Sequence, residues 1–176
     1  HIGAPAIPIV KKGDKVCVGT LIAEFENGLS SPVHSSVSGT VSSISDLRMS
    51  DGKTVPAIIV ESDGEQTLDE SITPPVVTDR VELVKVIKNS GVVGLGGAGF
   101  PTYAKLSVDR KIETLVINGA ECEPYITSDS ITMTENTDDI MLALNTLLKY
   151  FDIEKVIIGV ENNKPQAVKA LNDAID

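Results

Sequence analysis

Residues Gly94-Leu95-Gly96-Gly97-Ala98-Gly99-Phe100-Pro101-Thr102 put four glycines into six positions. Glycine loses more conformational freedom on folding than any other residue, so this density implies a need for backbone free of side chains. Such loops let several N–H groups converge on an anion, above all where a helix begins. Pro101 suits the first turn of a following helix, and Lys105 comes about one turn later, where a cation complements a phosphate. Glycines 94, 96 and 99 satisfy G-x-G-x-x-G, but the dinucleotide fingerprint requires a preceding strand, and here only Val92-Val93 separate the loop from a helix. The Lys-Ser/Thr pair of a P-loop is missing. A glycine-rich turn needed only for tight packing is the competing explanation.

A second cluster, Asn118-Gly119-Ala120-Glu121-Cys122-Glu123-Pro124-Tyr125, directly follows an apolar run ending at Ile117. In parallel sheets the ligand crevice lies beyond the carboxyl ends of the strands, which is where this cluster falls. Glu121 and Glu123 point to opposite sides if extended, so one of them can face a ligand while the other does not; a solvated acidic loop is the bland alternative. Other candidates are weaker. His34 lies among Ser30, Ser31, Ser35 and Ser36, far in sequence from any activating acid, and reads as a turn histidine rather than part of a Ser–His pair. Cys17 alternates with Val16 and Val18 as a packed strand residue. Cys122 sits between two carboxylates, an environment that discourages a thiolate nucleophile. Met49, Met133 and Met141 are scattered, and Met141 belongs to a helix. No catalytic residue and no metal ligand is expected.

The elements that must position these residues fall into two halves. The chain has 176 residues, 41% of them hydrophobic, enough for a core, and a formal charge of −10. That charge argues against a nucleic-acid partner, because counterion release needs clustered Lys and Arg. Two cysteines are too few for a disulfide framework or a four-thiolate cluster. No apolar run reaches the length of a membrane span and no signal peptide opens the chain, so a soluble, cytoplasmic object is expected. The first residue is His1 rather than Met, and Ala167 to Asp176 read as a helix with nothing after it. The sequence therefore reads as a piece of a longer protein.

Residues 1–64 show short strands broken by Lys12-Gly13-Asp14, Gly19-Thr20, Asn27-Gly28, Ser38-Gly39 and Asp51-Gly52, the grammar of a small β-barrel or sandwich. Asn27-Gly28 predicts a two-residue type I′ hairpin between Leu21-Ile22-Ala23 and the segment 29–33. Val41 and Ile44, then Ile58, Ile59 and Val60, supply further strands. Residues 65–78 are polar, carry Pro74-Pro75 and read as a linker. From residue 79 the period changes to 3.6. Asp79 and Glu82 have capping-box spacing, Val81, Val84 and Ile87 follow on one face, and Gly91 closes the helix. Runs at Thr114–Ile117 and Val156–Ile158 lack alternation, as expected of parallel strands covered on both faces. Between them Ile140, Leu144, Leu147, Leu148 and Phe151 form a helical stripe behind Asp138 and Asp139. A last helix starts near Asn163 and Pro165. Residues 79–176 thus predict an α/β unit with a parallel sheet.

The combination of Gly94–Thr102, Lys105 and Asn118–Pro124 resembles the flavin- and NADH-binding segment of complex I's flavoprotein subunit. With His1–Ala6, Pro32-Val33-His34, Ser38–Val41, Asn118–Tyr125 and Ile157–Pro165 added, the chain is closer still to the RnfC family of Rnf electron transport complexes. The resemblance covers almost the whole chain. It implies an α/β fold class with added β structure: an N-terminal barrel-sandwich domain of the biotinyl/lipoyl type, then the N-terminal part of a Rossmann-like flavin domain. It further implies FMN and NADH as cofactors, with [4Fe-4S] clusters in the full-length protein but not in this piece. By position, Gly94, Gly96, Gly97 and Gly99 would cradle the FMN and its phosphate, with Lys105 as cation and Phe100 shaping the nucleotide pocket. Asn118 would hydrogen-bond the flavin, and Glu121 and Glu123 would lie toward the nicotinamide nucleotide. Leu95 and Ala120 depart from the complex I pattern, where arginine and aspartate are usual, and each removes a polar contact. The implied partners are other Rnf subunits, ferredoxin through the complex, NADH, and a membrane reached only through partner subunits at its cytoplasmic face. Two rival functions remain. A flavin-dependent cobalamin reductase shares the glycine-rich segment, and the barrel could be a docking module. A swinging-arm carrier is disfavoured because the hairpin tip expected at Asn27-Gly28 carries no lysine.

Overall fold

The computed structural model describes residues 2–25, 27–50, 52–95 and 97–175, which form two compact units, His1–Val108 and Asp109–Asp176. In the first unit, two three-stranded antiparallel sheets make up the β structure. One has the order β1-β3-β4, built from Ile7–Pro8, Leu21–Glu24 and Val33–His34; the other has the order β2-β5-β6, built from Lys15–Val16, Gly39–Arg48 and Thr54–Ser62. Val16, Ile22 and Val41 are buried together, with Val10, Ile58 and Val60 packed against them. Period-2 alternation sends these side chains inward from both sheets, as a sandwich requires. Ser30, Ser31, Ser35 and Ser38 are also buried. Their hydroxyls are not stranded: Ser30 donates to the Ala4 carbonyl at 2.6 Å, Ser35 to Val37 at 2.7 Å, and Ser38 to the Asp63 carboxylate at 2.6 Å. That last bond, first among several, holds Asp63 below its ordinary carboxylate pKa.

β3 and β4 do pair antiparallel, with Leu21 opposite His34 and Ala23 opposite Val33. The expected two-residue turn at Asn27-Gly28 does not form, because Gly28 takes a positive φ and Asn27 does not, whereas type I′ needs both. The N-terminal segment competes for the same backbone. Ala4 N–H donates to the Leu29 carbonyl at 2.9 Å and Ser30 bonds Ala4, so residues 29–30 serve that segment and the connection lengthens to reach Val33. The stretch after Asp63 is tied to the sandwich at its start. Val18 N–H donates to Thr67, Asp69 N–H to Val18, and the Thr20 hydroxyl to the Asp69 carboxylate at 2.6 Å.

Helix α1, Arg80–Asn89, begins as predicted at Asp79, whose carboxylate accepts from Glu82 N–H at 2.9 Å. The reciprocal half is displaced by one residue, since Glu82 accepts from the N–H and hydroxyl of Thr78. The buried residue is Leu83, whereas Val81 is 77% exposed, contrary to expectation. Two helical positions apart means about 200° around the axis, so burying Leu83 turns Val81 to solvent. Gly91 ends the helix at φ +71°, and a Cβ there would fall 2.7 Å from the Pro32 carbonyl, so the close approach of sandwich and helix requires glycine. The short helix α2, Thr102–Leu106, is joined to the β structure by stacked rings. Phe25 and Tyr103 have centroids 6.5 Å apart, and Lys88 Nζ lies 4.9 and 5.4 Å from them.

In the second unit, β7 (Thr114–Gly119) and β8 (Lys155–Val160) pair in parallel and in register, Thr114 opposite Lys155 through Gly119 opposite Val160. Between them run α3 (Ser128–Glu135) and α4 (Thr137–Phe151), and α5 (Pro165–Ile175) follows. Met133, Ala167 and Leu171 are buried together, with Ile140, Met141, Ile158 and Val160 against them. α4 buries Leu144 and Phe151 from the predicted stripe and stops at Asp152 in the left-handed region. The two strands depart from the expectation of cover on both faces. Their burial alternates, and Val116 and Ile157 stay 65% and 42% exposed. A single layer of core side chains, from Met133, Ala167 and Leu171, explains why only alternate positions are buried. α3 was not anticipated from the sequence, and Met133, read there only as one of three scattered methionines, is a core residue.

Candidate functional site

The glycine-rich loop is pinched at its neck. Val93 and Pro101 form an antiparallel bridge, Gly94 N–H donates to the Phe100 carbonyl at 3.0 Å, and Thr102 N–H donates to Val92. The loop is thus a closed excursion leading directly into α2, and Pro101 at its exit is fully buried. The Gly99 carbonyl also accepts from Ile2 N–H at 3.1 Å. Gly99 sits at φ +69° and needs to be glycine for that reason alone. Gly97 has no such reason: its φ lies outside the left-handed region, and an added Cβ would meet nothing within 4 Å. At Gly94 the nearest atoms would be Phe100 O and N at 3.8 and 3.9 Å, ordinary contact. Tight internal packing therefore does not account for Gly94 or Gly97, and the open space beside Gly97 suits a group approaching from outside. Gly96 lies outside the described residues.

Lys105, in the last turn of α2, is exposed, with Nζ 5.9 Å from the centre of the Phe100 ring. The lysine and the aromatic ring expected to serve a nucleotide are thus neighbours. Leu95, at the arginine position of the resembled pattern, is 93% exposed.

The second cluster lies at the carboxyl end of β7. Asn118 is exposed, and its Oδ1 accepts from Ala120 N–H at 3.1 Å, which leaves the amide nitrogen to donate. Gly119 is buried, and a Cβ there would fall 2.8 Å from Met133 Sδ and 3.0 Å from the Gly159 carbonyl. This glycine exists so that α3 and β8 can approach the strand.

Glu121 and Glu123 differ sharply. The Glu121 side chain is only 4% exposed. Its Oε1 accepts from Asp129 N–H at 2.8 Å and from the Ser128 hydroxyl at 3.3 Å, and its Oε2 from Ser130 N–H at 3.4 Å. Lys164 Nζ approaches Oε2 at 3.5 Å. Burial alone pushes this carboxyl's pKa up, but the two N–H donors, the hydroxyl and Lys164 outweigh it and leave the pKa below the usual glutamate value. The carboxylate thereby caps the N-terminus of α3, where unpaired N–H groups and the helix dipole favour negative charge. Thr127, the local cap position, makes no side-chain cap bond. Glu123 is exposed, and among the described residues its carboxylate has no partner. Of the two carboxylates, Glu123's is the one left for a ligand.

The expected site residues divide between the two units, with Gly94, Gly97, Gly99, Phe100 and Lys105 in the first and Asn118, Glu121 and Glu123 in the second. Lys164 and Met133 were missed. The only trace of Lys164 in the sequence was its place within Ile157–Pro165, because its partner is 43 residues away. No group of three or more possible metal ligands occurs among the described residues, and no helix there is long and apolar enough to cross a membrane.

Comparison with known proteins fits this layout. Residues 1–65 match the RnfC barrel sandwich hybrid domain, and residues 87–176 match the Nuo51 FMN-binding domain. The chain is 44% identical to the C subunit of the Na(+)-translocating ferredoxin:NAD(+) oxidoreductase complex of Acetobacterium woodii, over 99% of this chain and 41% of that protein. It is 38% identical to the proton-translocating counterpart of Clostridium ljungdahlii, over the whole chain and 40% of that protein. Identity is 40% to the C subunit of the ion-translocating oxidoreductase complex of Pseudomonas aeruginosa, of which 23% is covered. The chain thus spans well under half the length of these relatives. With just over half of its residues forming that second domain, behind an RnfC barrel sandwich hybrid, the chain belongs to the Nuo51 FMN-binding domain family.

Proposed function

We propose that this chain carries the FMN-binding portion of an NADH-oxidising electron-transfer subunit of an ion-translocating NADH:ferredoxin oxidoreductase, the Rnf complex. The observation that carries the reading is the glycine loop, closed at Val93 and Pro101, in which Gly97 borders open space and neither packing nor backbone conformation requires glycine there. The names of the relatives support the assignment to the complex, and the match of residues 1–65 to the RnfC domain favours it over a cobalamin reductase.

In this reading, backbone N–H groups of the loop bind the FMN phosphate, and Lys105 balances its charge. Phe100 contributes an apolar wall beside that lysine, Asn118 donates its amide to the flavin ring, and Glu123 faces the nicotinamide nucleotide. When bound, FMN supplies the ring that accepts a hydride and passes electrons onward. Hydride transfer depends on alignment rather than on an acid or base. Glu121 contributes indirectly, by fixing the loop that carries Glu123 to the start of α3. Iron–sulfur clusters that take the electrons away belong to the remainder of the longer protein. Other Rnf subunits, and ferredoxin through them, are the partners, at the cytoplasmic face of the cell membrane.

The test is a fluorescence titration of the 176-residue chain and of the full-length subunit with FMN, repeated with Lys105→Ala. Saturable binding weakened by about tenfold supports the glycine loop as the phosphate site, that factor being the loss of one charge-assisted contact. Absence of FMN binding by the full-length subunit overturns the reading.

A further inference from the structure

We propose that Tyr125 is a specificity-determining residue that stacks on the planar ring of the nicotinamide nucleotide, held in place by the Glu121 anchor. This rests on the reading of the domain as an FMN and NADH site and extends it to a residue outside the expected set. Tyr125 has φ +66°, in the left-handed region that glycine adopts freely and bulky residues avoid. Its side chain is fully exposed, and among the described residues the phenol has no hydrogen bond and no ring partner. The unit therefore accepts backbone strain for a ring that its own packing does not use. Strain of this kind persists only where the surroundings impose it, and it concentrates at ligand sites.

The surroundings do impose it. On one side, Glu121 is fastened to the N–H groups of Asp129 and Ser130 and to Lys164. On the other, Ile126 N–H closes back on the Glu123 carbonyl at 3.3 Å. Asn118 closes the start of the excursion through Ala120 N–H. Residues 120–126 are thus a pinned loop at the carboxyl end of a parallel strand, the ligand edge of such sheets. The chemistry on offer is an aromatic face two residues from an uncommitted carboxylate. That pair matches a planar heterocycle joined to a ribose, the ring stacking on tyrosine and the sugar hydroxyls donating to Glu123. A phosphate is the wrong match, because Glu123 repels it.

Full-length subunit loaded with FMN is compared with Tyr125→Phe, Tyr125→Ala and Tyr125→Gly, reading NAD(+) affinity by calorimetry, FMN content by absorbance and melting temperature. Phenylalanine keeps the ring and is expected to hold NAD(+) affinity within about twofold. Alanine and glycine both lose the ring and are expected to weaken NAD(+) by about tenfold at unchanged FMN content. Glycine alone also relieves the backbone, so it melts above the alanine variant by about 1 °C in the full-length subunit while affinity falls. NAD(+) affinity unchanged in alanine and glycine overturns the proposal. So does a fall in melting temperature and FMN content in all three variants, which marks the ring as packing against another part of the protein. A parent protein that holds FMN but not NAD(+) overturns this proposal and leaves the FMN reading standing; one that holds neither overturns both.

Discussion

Replacing Gly97 by alanine separates the two explanations of the glycine loop, because packing and ligand binding predict opposite outcomes. The backbone at Gly97 is one an alanine can adopt, and its Cβ would meet no atom within 4 Å. Alanine then restricts the unfolded chain without straining the folded one, which stabilises by about 0.4–1 kcal/mol. For a chain of this size that is a rise of roughly 1–4 °C in melting temperature. Gly99→Ala is the control. At φ +69° an alanine costs roughly 1–2 kcal/mol, so the melting temperature falls. FMN binding responds differently. A methyl group at Gly97 stands where a phosphate would approach the N–H groups, and losing one charged hydrogen bond costs about 1.5–3 kcal/mol. That is about ten- to hundredfold in dissociation constant. Thermal melts without ligand and fluorescence titrations with FMN read the two effects separately. Gly97→Ala that binds FMN as tightly as the parent refutes the cradle, and Gly97→Ala that melts several degrees lower restores the packing explanation.

Two further outcomes follow from the second unit. Glu121→Gln should flatten the dependence of stability on pH, measured by urea unfolding. The native carboxyl's pKa is depressed, so its stabilisation is full above the unfolded value of 4.5 and disappears as pH falls through the native one. The parent and variant curves should therefore converge in acid and separate above it; curves that stay parallel throughout would show that the carboxylate's charge is not what α3 uses. Gly119→Ala should destabilise the chain by about 1–3 kcal/mol, because the added Cβ meets Met133 Sδ and the Gly159 carbonyl at or below 3.0 Å. An unchanged urea midpoint would contradict the close packing of β7 against α3 and β8.

Much of the fold could be read from local pattern, because the forces that set it act over a few residues. Asp79 caps α1, the 3.6-residue stripe of α4 buries Leu144 and Phe151, and Pro165 opens α5. The glycine loop and Lys105 stood out by composition, and family resemblance gave them a ligand. What tertiary structure alone decided involves partners distant along the chain. Asn27-Gly28 carries a strong hairpin signal, yet Ala4 takes the backbone of Leu29 and the turn opens. Glu121 and Glu123 look alike in sequence, and only the arrival of α3 and Lys164 commits one of them while leaving the other to solvent. α3 itself, with Ser and Thr at half of its eight positions, carries little helical signal, and its N-terminus is capped by a carboxylate from a preceding loop rather than by Thr127. That packing does not require glycine at position 97 was equally invisible, since it shows only as the empty space around a Cβ that is not there. Local propensity chooses elements, but only three-dimensional neighbours decide which polar groups are spent on the fold and which remain for chemistry.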